Sequence, residues 1–270
     1  MPAARLYRVG ARPTPAMEEE FFQTIRLPNG TFKTTADRRL DDLNVLVSEH
    51  LPARRPLRVK DVAVSSGIST VEWHEALTRA GIASEVTATD LLVHARLVTI
   101  WPGIRFLLDR TRRVLQLDIA SFAFTPSEAP RKRRVCAPLL AIARRPRLLR
   151  SLARAETPVQ LVSPRLLGNG NVRVVEEDLT SPRSGEWDVI RAANILHFEY
   201  FSERTIRTIV HGLCASLSSG GILIVCRTTP AAGNEASIFR RCNGRMELVA
   251  ELNGGSEIAE IVRSEGETGA

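Results

Sequence analysis

The sequence predicts an α/β protein: a doubly wound, mostly parallel sheet with helices on both faces and an antiparallel C-terminal hairpin. Three observations predict it. Short apolar runs alternate with helix-period segments over 57–90 and again over 171–228. The apolar runs 57–64, 85–90 and 171–179 each carry an acid towards the carboxyl end: Asp61, Asp90 and Asp178. Near the C-terminus, "ASIFRR" and "RMELVAEL" flank an Asn-Gly turn, which reads as a hairpin.

In chain order, "MPAARLYRVGARPTPAM" lacks the apolar run of a signal peptide and reads as a flexible arm. Residues 18–32 are short and mixed, with a turn at Asn29-Gly30. Over 35–51, Leu40, Leu43, Val47 and Leu51 recur at helical spacing until Pro52 stops them. "LRVKDVAV" (57–64) reads as a buried strand, and 69–82 as a helix with a Ser69/Glu72 capping box that Gly81 ends. On that helix Trp73 faces the core and His74 is expected at the surface. "EVTATD" (85–90) is the second strand.

The alternation then breaks for about eighty residues. Residues 101–124 read as a hairpin around the tip Arg110–Arg113. The stretch 131–154, "RKRRVCAPLLAIARRPRLLRSLAR", reads as helices broken at Pro138 and Pro146. Alternation resumes with strands at 171–179 and 187–198. A helix follows at 202–217, with Ile206, Ile209, Val210 and Leu213 inward, then a turn at 218–221 and a strand at 222–228. The expected organisation is an arm and helix over 1–52 acting as a lid, and a main domain over 53–263. That domain carries an insertion at 91–170 made of a hairpin plus basic helices. A flexible tail closes the chain at 264–270.

Composition narrows the function classes. Net charge is +7, and 131–154 alone holds nine Lys/Arg and no acid. Its apolar centre "PLLAIA" suits contact with a membrane surface or another anionic surface. It lacks the interleaved aromatics that stack bases, which argues against nucleic acid. Thirty-four of the 37 basic residues are arginine, a skew that composition alone can produce. The four cysteines are widely spaced, with no CxxC or Cys/His cluster. No metal site is therefore expected, and free thiols in a cytoplasmic protein are.

The order Asp61-x-Ala63-x-Ser65-x-Gly67, then Asp90, Asp178, "ANILHF" and "LSSGGILIV", resembles the class I S-adenosylmethionine-dependent methyltransferases over roughly 57–92 and 171–262. The resemblance implies a Rossmann-like, class I methyltransferase fold with S-adenosyl-L-methionine as cofactor. It implies that Asp61, Ala63, Ser65, Ser66, Gly67 and Thr70 form the loop around the methionine portion. Asp90 and the adjacent Leu91 would meet the ribose, and Asp178 and Leu179 the adenine. Asn194 would line the transfer site, and His197 would be the catalytic base. Ala63 and Ser65 depart from the family's preference for glycine and restrict left-handed backbone at those positions. The implied reaction is methyl transfer to oxygen or nitrogen of a small or medium-sized acceptor. Two other classes compete. A degenerate, non-catalytic scaffold would use the basic insert to bind a partner. A nicotinamide oxidoreductase would need a G-x-G-x-x-G turn, which the stretch lacks, since Thr70 stands at the third small position.

Overall fold

A computed structural model of the chain describes residues 1–265 apart from 9, 12, 26–32, 34–37, 126–129 and 182–184, and apart from the side chains of 130–135. The Asn29-Gly30 turn and most of the 264–270 tail lie outside the described residues. Helices α1 (Ala3–Leu6), α2 (Pro15–Phe22) and α3 (Asp41–Ser48) precede strand β1 (Leu57–Val62), helix α4 (Ile68–Arg79) and strand β2 (Ser84–Asp90). Strands β3 (His94–Trp101), β4 (Ile104–Asp109), β5 (Val114–Ile119) and β6 (Phe122–Phe124) follow. Next are helices α5 (Pro130–Ala143) and α6 (Pro146–Leu152), strand β7 (Ala155–Gln160) and helix α7 (Pro164–Leu167). Then come β8 (Val172–Glu176), β9 (Trp187–Ala193), α8 (Glu203–Ala215), β10 (Leu217–Thr229), β11 (Gly233–Cys242), β12 (Arg245–Leu252) and α9 (Ala259–Ser264).

The chain divides into two compact units. One joins residues 1–37 to 92–168; the other joins 38–91 to 169–270. In the second, a seven-stranded sheet runs β12-β11-β10-β9-β1-β2-β8. β8, β2, β1, β9 and β10 are parallel neighbours. β11 is antiparallel to β10, and β12 to β11, around the turn at Asn243-Gly244. The sheet is thus mixed, parallel from β8 to β10 with antiparallel strands at its β12 edge.

Side-chain alternation assigns the two faces of this sheet. Val62, Ile190, Ala192, Leu223 and Val225 pack with Ile206, Ile209, Val210 and Leu213 of α8 and with Ile261 and Val262 of α9. These are the four inward residues that the periodicity of 202–217 picks out. Ser202 caps α8, accepting from the Thr205 N–H at 3.3 Å. The opposite face meets α4, whose Trp73 is 1% exposed. α4 starts at Ile68 with a left-handed Gly67 as its N-cap (φ 78°) and no side-chain cap, so the Ser69/Glu72 capping box does not form. Gly67 turns the chain into the helix one residue earlier, and Glu72 instead accepts from the Arg38 N–H at 2.7 Å. His74 is buried rather than exposed, and its Nδ1 meets Asn169 Nδ2 at 3.1 Å.

The first unit departs from the expected hairpin plus helices. It is a five-stranded antiparallel sheet, β6-β5-β4-β3-β7. The 101–124 hairpin is present as β4 and β5, but β3 and β7 extend it, pairing His94 with Gln160 and Ala95 with Val159. The described part of 1–17 is not a loose arm, since α1 forms and α2 begins within it. Met1, Leu6, Phe21, Phe22 and Ile25 are buried with Leu92, Leu107, Leu115 and Leu161 on one face of this sheet. Helix α5 runs through Pro138 instead of breaking there, whereas Pro146 opens α6 at its first turn. Cys136, Leu139, Leu140, Ile142 and Ala143 cover the other sheet face with Leu149, and that burial offsets the roughly 3 kcal/mol an internal proline costs. Cys136, Cys214 and Cys226 are buried and form no disulfide. Among the described residues, no helix is long and apolar enough to cross a membrane.

Asp118 on β5 ties α1 to this sheet. Its Oδ2 accepts the Ala4 N–H at 3.1 Å, beside Gln116 Oε1 accepting from Ala3 at 2.8 Å. Its buried Oδ1 has no partner. Burial raises its pKa from 3.8 to about 6, against the opposing pull of the Ala4 and Ala3 N–H groups and of Arg105. A raised acid pKa favours the folded state in its protonated form. The stabilisation is complete below the unfolded value near 4 and is lost as pH rises through about 6. We predict that urea denaturation yields about 2 kcal/mol less stability at pH 7.5 than at pH 4 from this group, and that Asp118→Asn flattens the difference. An unchanged pH dependence in that variant would contradict the assignment.

Candidate functional site

β1 lies between β2 and β9, parallel to both, with Asp61 opposite Ala88 on one side and Arg191 on the other. From β1 the strand order runs outward to β2 and β8 one way, and to β9 and β10 the other. The connection through α4 lies on one face and that through α8 on the other. The crevice beyond the carboxyl ends of β1 and β9 is therefore the switch point where open α/β sheets bind ligands.

The loop leaving β1 keeps an unusual backbone. Ala63 (φ 54°), Ser65 (φ 58°) and Gly67 (φ 78°) are all left-handed, although only the third is glycine. Each non-glycine residue there costs about 1–2 kcal/mol. Hydrogen bonds hold the loop shut: Val64 N–H to Thr89 O at 3.0 Å and Gly67 N–H to Val64 O at 2.8 Å. The Ser65 N–H donates to Asp90 Oδ2 at 2.8 Å. The acid ending β2 thus braces the loop that follows β1.

Beneath the loop is a buried charged cluster. Arg191, 1% exposed, donates from Nε to Asp61 Oδ1 at 3.0 Å and from one terminal nitrogen to Asp61 Oδ2 at 2.6 Å. The same guanidinium reaches the Ser69 carbonyl at 3.0 Å and Asn44 Oδ1 at 3.2 Å, and lies 4.2 Å from the Trp73 ring centroid. Thr70 Oγ1 donates to Asp61 Oδ2 at 2.7 Å. Both oxygens of Asp61 are committed to the protein, so this acid shapes the loop. Arg191 is the residue that the sequence reading passed over. Its signal was an arginine in the middle of an otherwise apolar strand, "WDVIRAANIL", which burial obliges to find a carboxylate.

The remaining residues of the sequence reading separate by surroundings. Ser66 and Thr70 are buried in the loop, while Ala63, Ser65 and Asn194 are half-buried. Leu91 and Asp178 are exposed. Asp178 accepts from the Thr180 N–H at 2.9 Å. Its neighbour Glu177 is buried against Lys60 Nζ at 2.6 Å. Leu179 belongs to the apolar core under α8. Asn194, left-handed at φ 59°, bridges β9 to β10: its Oδ1 accepts from the Thr228 N–H at 2.7 Å and its Nδ2 meets Thr228 Oγ1 at 3.1 Å. Thr228 continues through Asn234 to Asp42 on α3.

His197 is 6% exposed, its ring centroid 3.9 Å from that of Tyr200. Burial lowers its pKa, helped by the Arg227 charge and opposed by Glu199 and Glu257. Those charged neighbours differ from the groups that surround Asp61 and Asp90. Three buried polar atoms without hydrogen-bond partners belong to segments at this edge: Thr89 Oγ1 at the end of β2, His197 Nδ1 after β9, and Arg39 Nε just before α3. A donor such as Arg39 Nε is what a ligand carboxylate would satisfy. Among the described residues, no cluster of three or more His, Cys, Asp or Glu could hold a metal ion.

No known family model matches the chain, and no curated protein matches it in sequence. Several solved structures are similar to it. An O-methyltransferase family protein from Burkholderia thailandensis is 17% identical, with 71% of this chain and 39% of that one covered and a TM-score of 0.35. An S-adenosylmethionine-dependent methyltransferase from Mesorhizobium loti is 15% identical, with coverage of 70% and 54% and a TM-score of 0.33. The N-methyltransferase NodS from Bradyrhizobium japonicum WM9, solved with S-adenosyl-L-homocysteine, is 11% identical, with coverage of 70% and 62% and a TM-score of 0.34. The match thus spans between about two fifths and three fifths of those chains. Likeness at this level decides no activity, and the geometry of the switch point has to carry the reading.

Truncating Arg191 to alanine strands a buried carboxylate. We predict a loss of about 3–5 kcal/mol of stability in Arg191→Ala, read from the denaturant midpoint. Arg191→Lys, which keeps the charge without the fork, is expected to lose less. A midpoint in the alanine variant equal to that of the parent would show that the pair does not hold the loop.

Proposed function

We propose that the chain binds S-adenosyl-L-methionine at the carboxyl ends of β1, β2 and β9 and transfers its methyl group to oxygen or nitrogen of a small or medium-sized acceptor. The observation that carries this reading is the left-handed backbone at 63, 65 and 67. The resemblance in sequence puts glycines at those positions. This chain keeps the conformation at two of them without the residue that makes it cheap. Strain held in that way, next to a switch point, supports a loop shaped for a ligand.

On this reading the loop from Ala63 to Gly67 wraps the methionine portion of the cofactor, and Arg39 receives its carboxylate. Asp90, held by Ser65, meets the ribose, with Leu91 beside it. Asp178 lies on the adenine side. Asp61, Thr70 and Ser66 support the loop from within, and Asn194 shapes the edge of the transfer site. Held by these residues, the cofactor would supply a methyl group on a sulfonium, a leaving group that would need no proton. The acceptor does lose a proton, and His197 Nδ1, buried and without a partner, takes it. Burial keeps that imidazole neutral at physiological pH. Orientation in the crevice supplies much of the rate, up to ~7–11 kcal/mol for well-aligned reactants.

A second reading has its own support. Asp61 is saturated by Arg191 and Thr70, and Asp90 already accepts from the loop, as in a cofactor fold closed on itself. A non-catalytic scaffold would look like this. Isothermal titration with S-adenosylmethionine separates the two: saturable heat supports the enzyme, and its absence supports the scaffold. NAD titrated in parallel tests the nicotinamide alternative.

Two predictions follow from the favoured reading. Asp90→Ala is expected to weaken cofactor affinity at least tenfold, about 1.4 kcal/mol, in a variant that keeps its circular dichroism; an unaltered Kd would take Asp90 out of the site. The acid limb of the kcat profile is expected below pH 6.5, because the lowered pKa of His197 preserves the neutral base there. His197→Gln should abolish that limb and lower kcat more than cofactor affinity. A profile identical to the parent's would assign the proton to another group.

A further inference from the structure

The sequence assigns any anionic contact of 131–154 to its apolar centre, and the structure turns that centre inward. Leu139, Leu140 and Ile142 of α5 pack on the apolar cluster of the antiparallel sheet that holds Val98, Phe106 and Leu117. Leu149 of α6 is 0% exposed in the same cluster. What these helices leave outside is charge.

Arg144, Arg145, Arg147, Arg150 and Arg154 are all exposed, and no Asp or Glu stands among them. Among the described residues, none of these five guanidiniums has a hydrogen bond or an ion pair. The nearest acid in sequence, Glu156, is occupied by Arg96. Elsewhere arginines are matched: Arg58 by Asp188, Arg191 by Asp61, Arg207 by Glu203 and Arg227 by Glu199. The charge over 144–154 is a surplus that this chain's described carboxylates do not balance.

Helical geometry sets how that surplus is displayed. Each residue of α6 turns the helix by roughly 100°. With Leu149 inward, Arg147 and Ser151 point away from the sheet, and Arg150 and Leu148 flank them on either side. Leu148 is 37% exposed, an aliphatic side chain among guanidiniums. Arg144 and Arg145 stand in the joint between α5 and α6, and Arg154 follows α6. Charges exposed in this way meet an extended anionic surface, whereas a small ligand needs an enclosing cleft. Arginine stems lie along apolar material while their heads stay among polar groups. No aromatic residue occurs over 144–154 to stack on a base, and a leucine set among arginines suits the boundary between lipid headgroups and acyl chains.

We propose that the outer face of α6, with the arginines that flank it, docks on an anionic lipid bilayer, Leu148 entering the headgroup boundary. The experiment floats the full chain with vesicles of phosphatidylcholine alone, or of three parts phosphatidylcholine to one part phosphatidylserine. The expected result is binding to the second kind only, weakening as salt rises and screens the exposed charges. The double variant Arg147→Glu, Arg150→Glu is expected to bind at least tenfold more weakly. Leu148→Ser is expected to lose about threefold. The double variant Arg204→Glu, Arg245→Glu removes the same charge from exposed sites on α8 and β12, and its affinity should match the parent's. Equal binding to both vesicles would overturn the proposal, as would parental affinity in either α6 variant. Equal loss in the α8 and β12 variant would also overturn it, by reporting diffuse attraction to an arginine-rich protein. A mixed-sequence DNA duplex is then added to the bound protein. Release at a phosphate concentration below that of the phosphatidylserine would overturn the lipid assignment in favour of nucleic acid. All the substituted side chains are exposed, and Arg147→Gln with Arg150→Gln replaces the reversal if the thermal midpoint falls.

Discussion

The placement of one buried guanidinium governs the switch point. Arg191 sits in the middle of β9, on the face covered by α3 and α4, and a charge there is tolerable only with a carboxylate in reach. Asp61, opposite it in register on β1, supplies that carboxylate. The requirement fixes more than one contact. A slip of one residue between β1 and β9 would turn Arg191 towards α8, into a wall of Ile206, Ile209, Val210 and Leu213. The pair therefore penalises the wrong register far more than an apolar pair would. It also positions α4, because the same guanidinium takes the Ser69 carbonyl in the first turn of that helix and lies over Trp73.

That anchor gives physical sense to the loop above it. Left-handed backbone at Ala63 and Ser65 costs on the order of 2–4 kcal/mol together. Such a cost persists only where the surroundings over-determine the conformation. Here the loop is pinned at both ends and in the middle. Asp61 is held by Arg191, the Ser65 N–H by Asp90, and the start of α4 by Gly67, whose φ of 78° is natural for glycine. Serine and alanine are the smallest residues that can stand in such a loop without filling the space glycine leaves. The loop thus holds left-handed backbone at two non-glycine residues through electrostatics and hydrogen bonds.

How much of this was legible in the sequence follows from the range of the interactions involved. The α/β alternation of 57–90 and 171–228 is local, and β1, α4, β2, β8, β9, α8 and β10 follow the order that apolar periodicity gives, although β9 ends at Ala193 and not at 198, and β10 begins at Leu217 and runs through the expected turn at 218–221. The terminal hairpin is announced by its Asn-Gly turn. The capping box was misread because Ser69 and Glu72 have the right spacing, while the left-handed Gly67 that starts the helix earlier is a backbone property. In the other unit the failure is larger. β7 pairs with β3 across the whole of β4, β5, β6, α5 and α6, so its register is set by residues some sixty positions away. It contains Pro158 and is largely solvent-exposed, and no periodicity marks it as a strand. The arm at 1–17 reads as loose because its apolar residues are few, yet Met1 and Leu6 find a sheet face that local sequence does not reveal, as do Phe21 and Phe22 of the mixed segment after it.

The site divides along the same line. Asp61, Asp90 and the loop between them could be picked out because strand ends and small-residue turns are local signals. What each acid does could not, since that depends on which charge the neighbouring strand brings beside it. Asp61 is consumed by Arg191 and Asp90 is turned inward to the Ser65 amide. Beside Asp178, it is Glu177 that is buried, because Lys60 faces it from β1. An acid at a strand end is thus only half of an assignment. The other half is the cation or amide opposite, and in this sheet those partners convert one acid into a structural brace, a second into a loop clasp and leave the third at the surface. A ligand at this edge therefore meets a crevice whose charges are largely balanced from within. Among the described residues, buried atoms with no partner of their own add further handles there: the Arg39 Nε, the Thr89 hydroxyl and the His197 Nδ1.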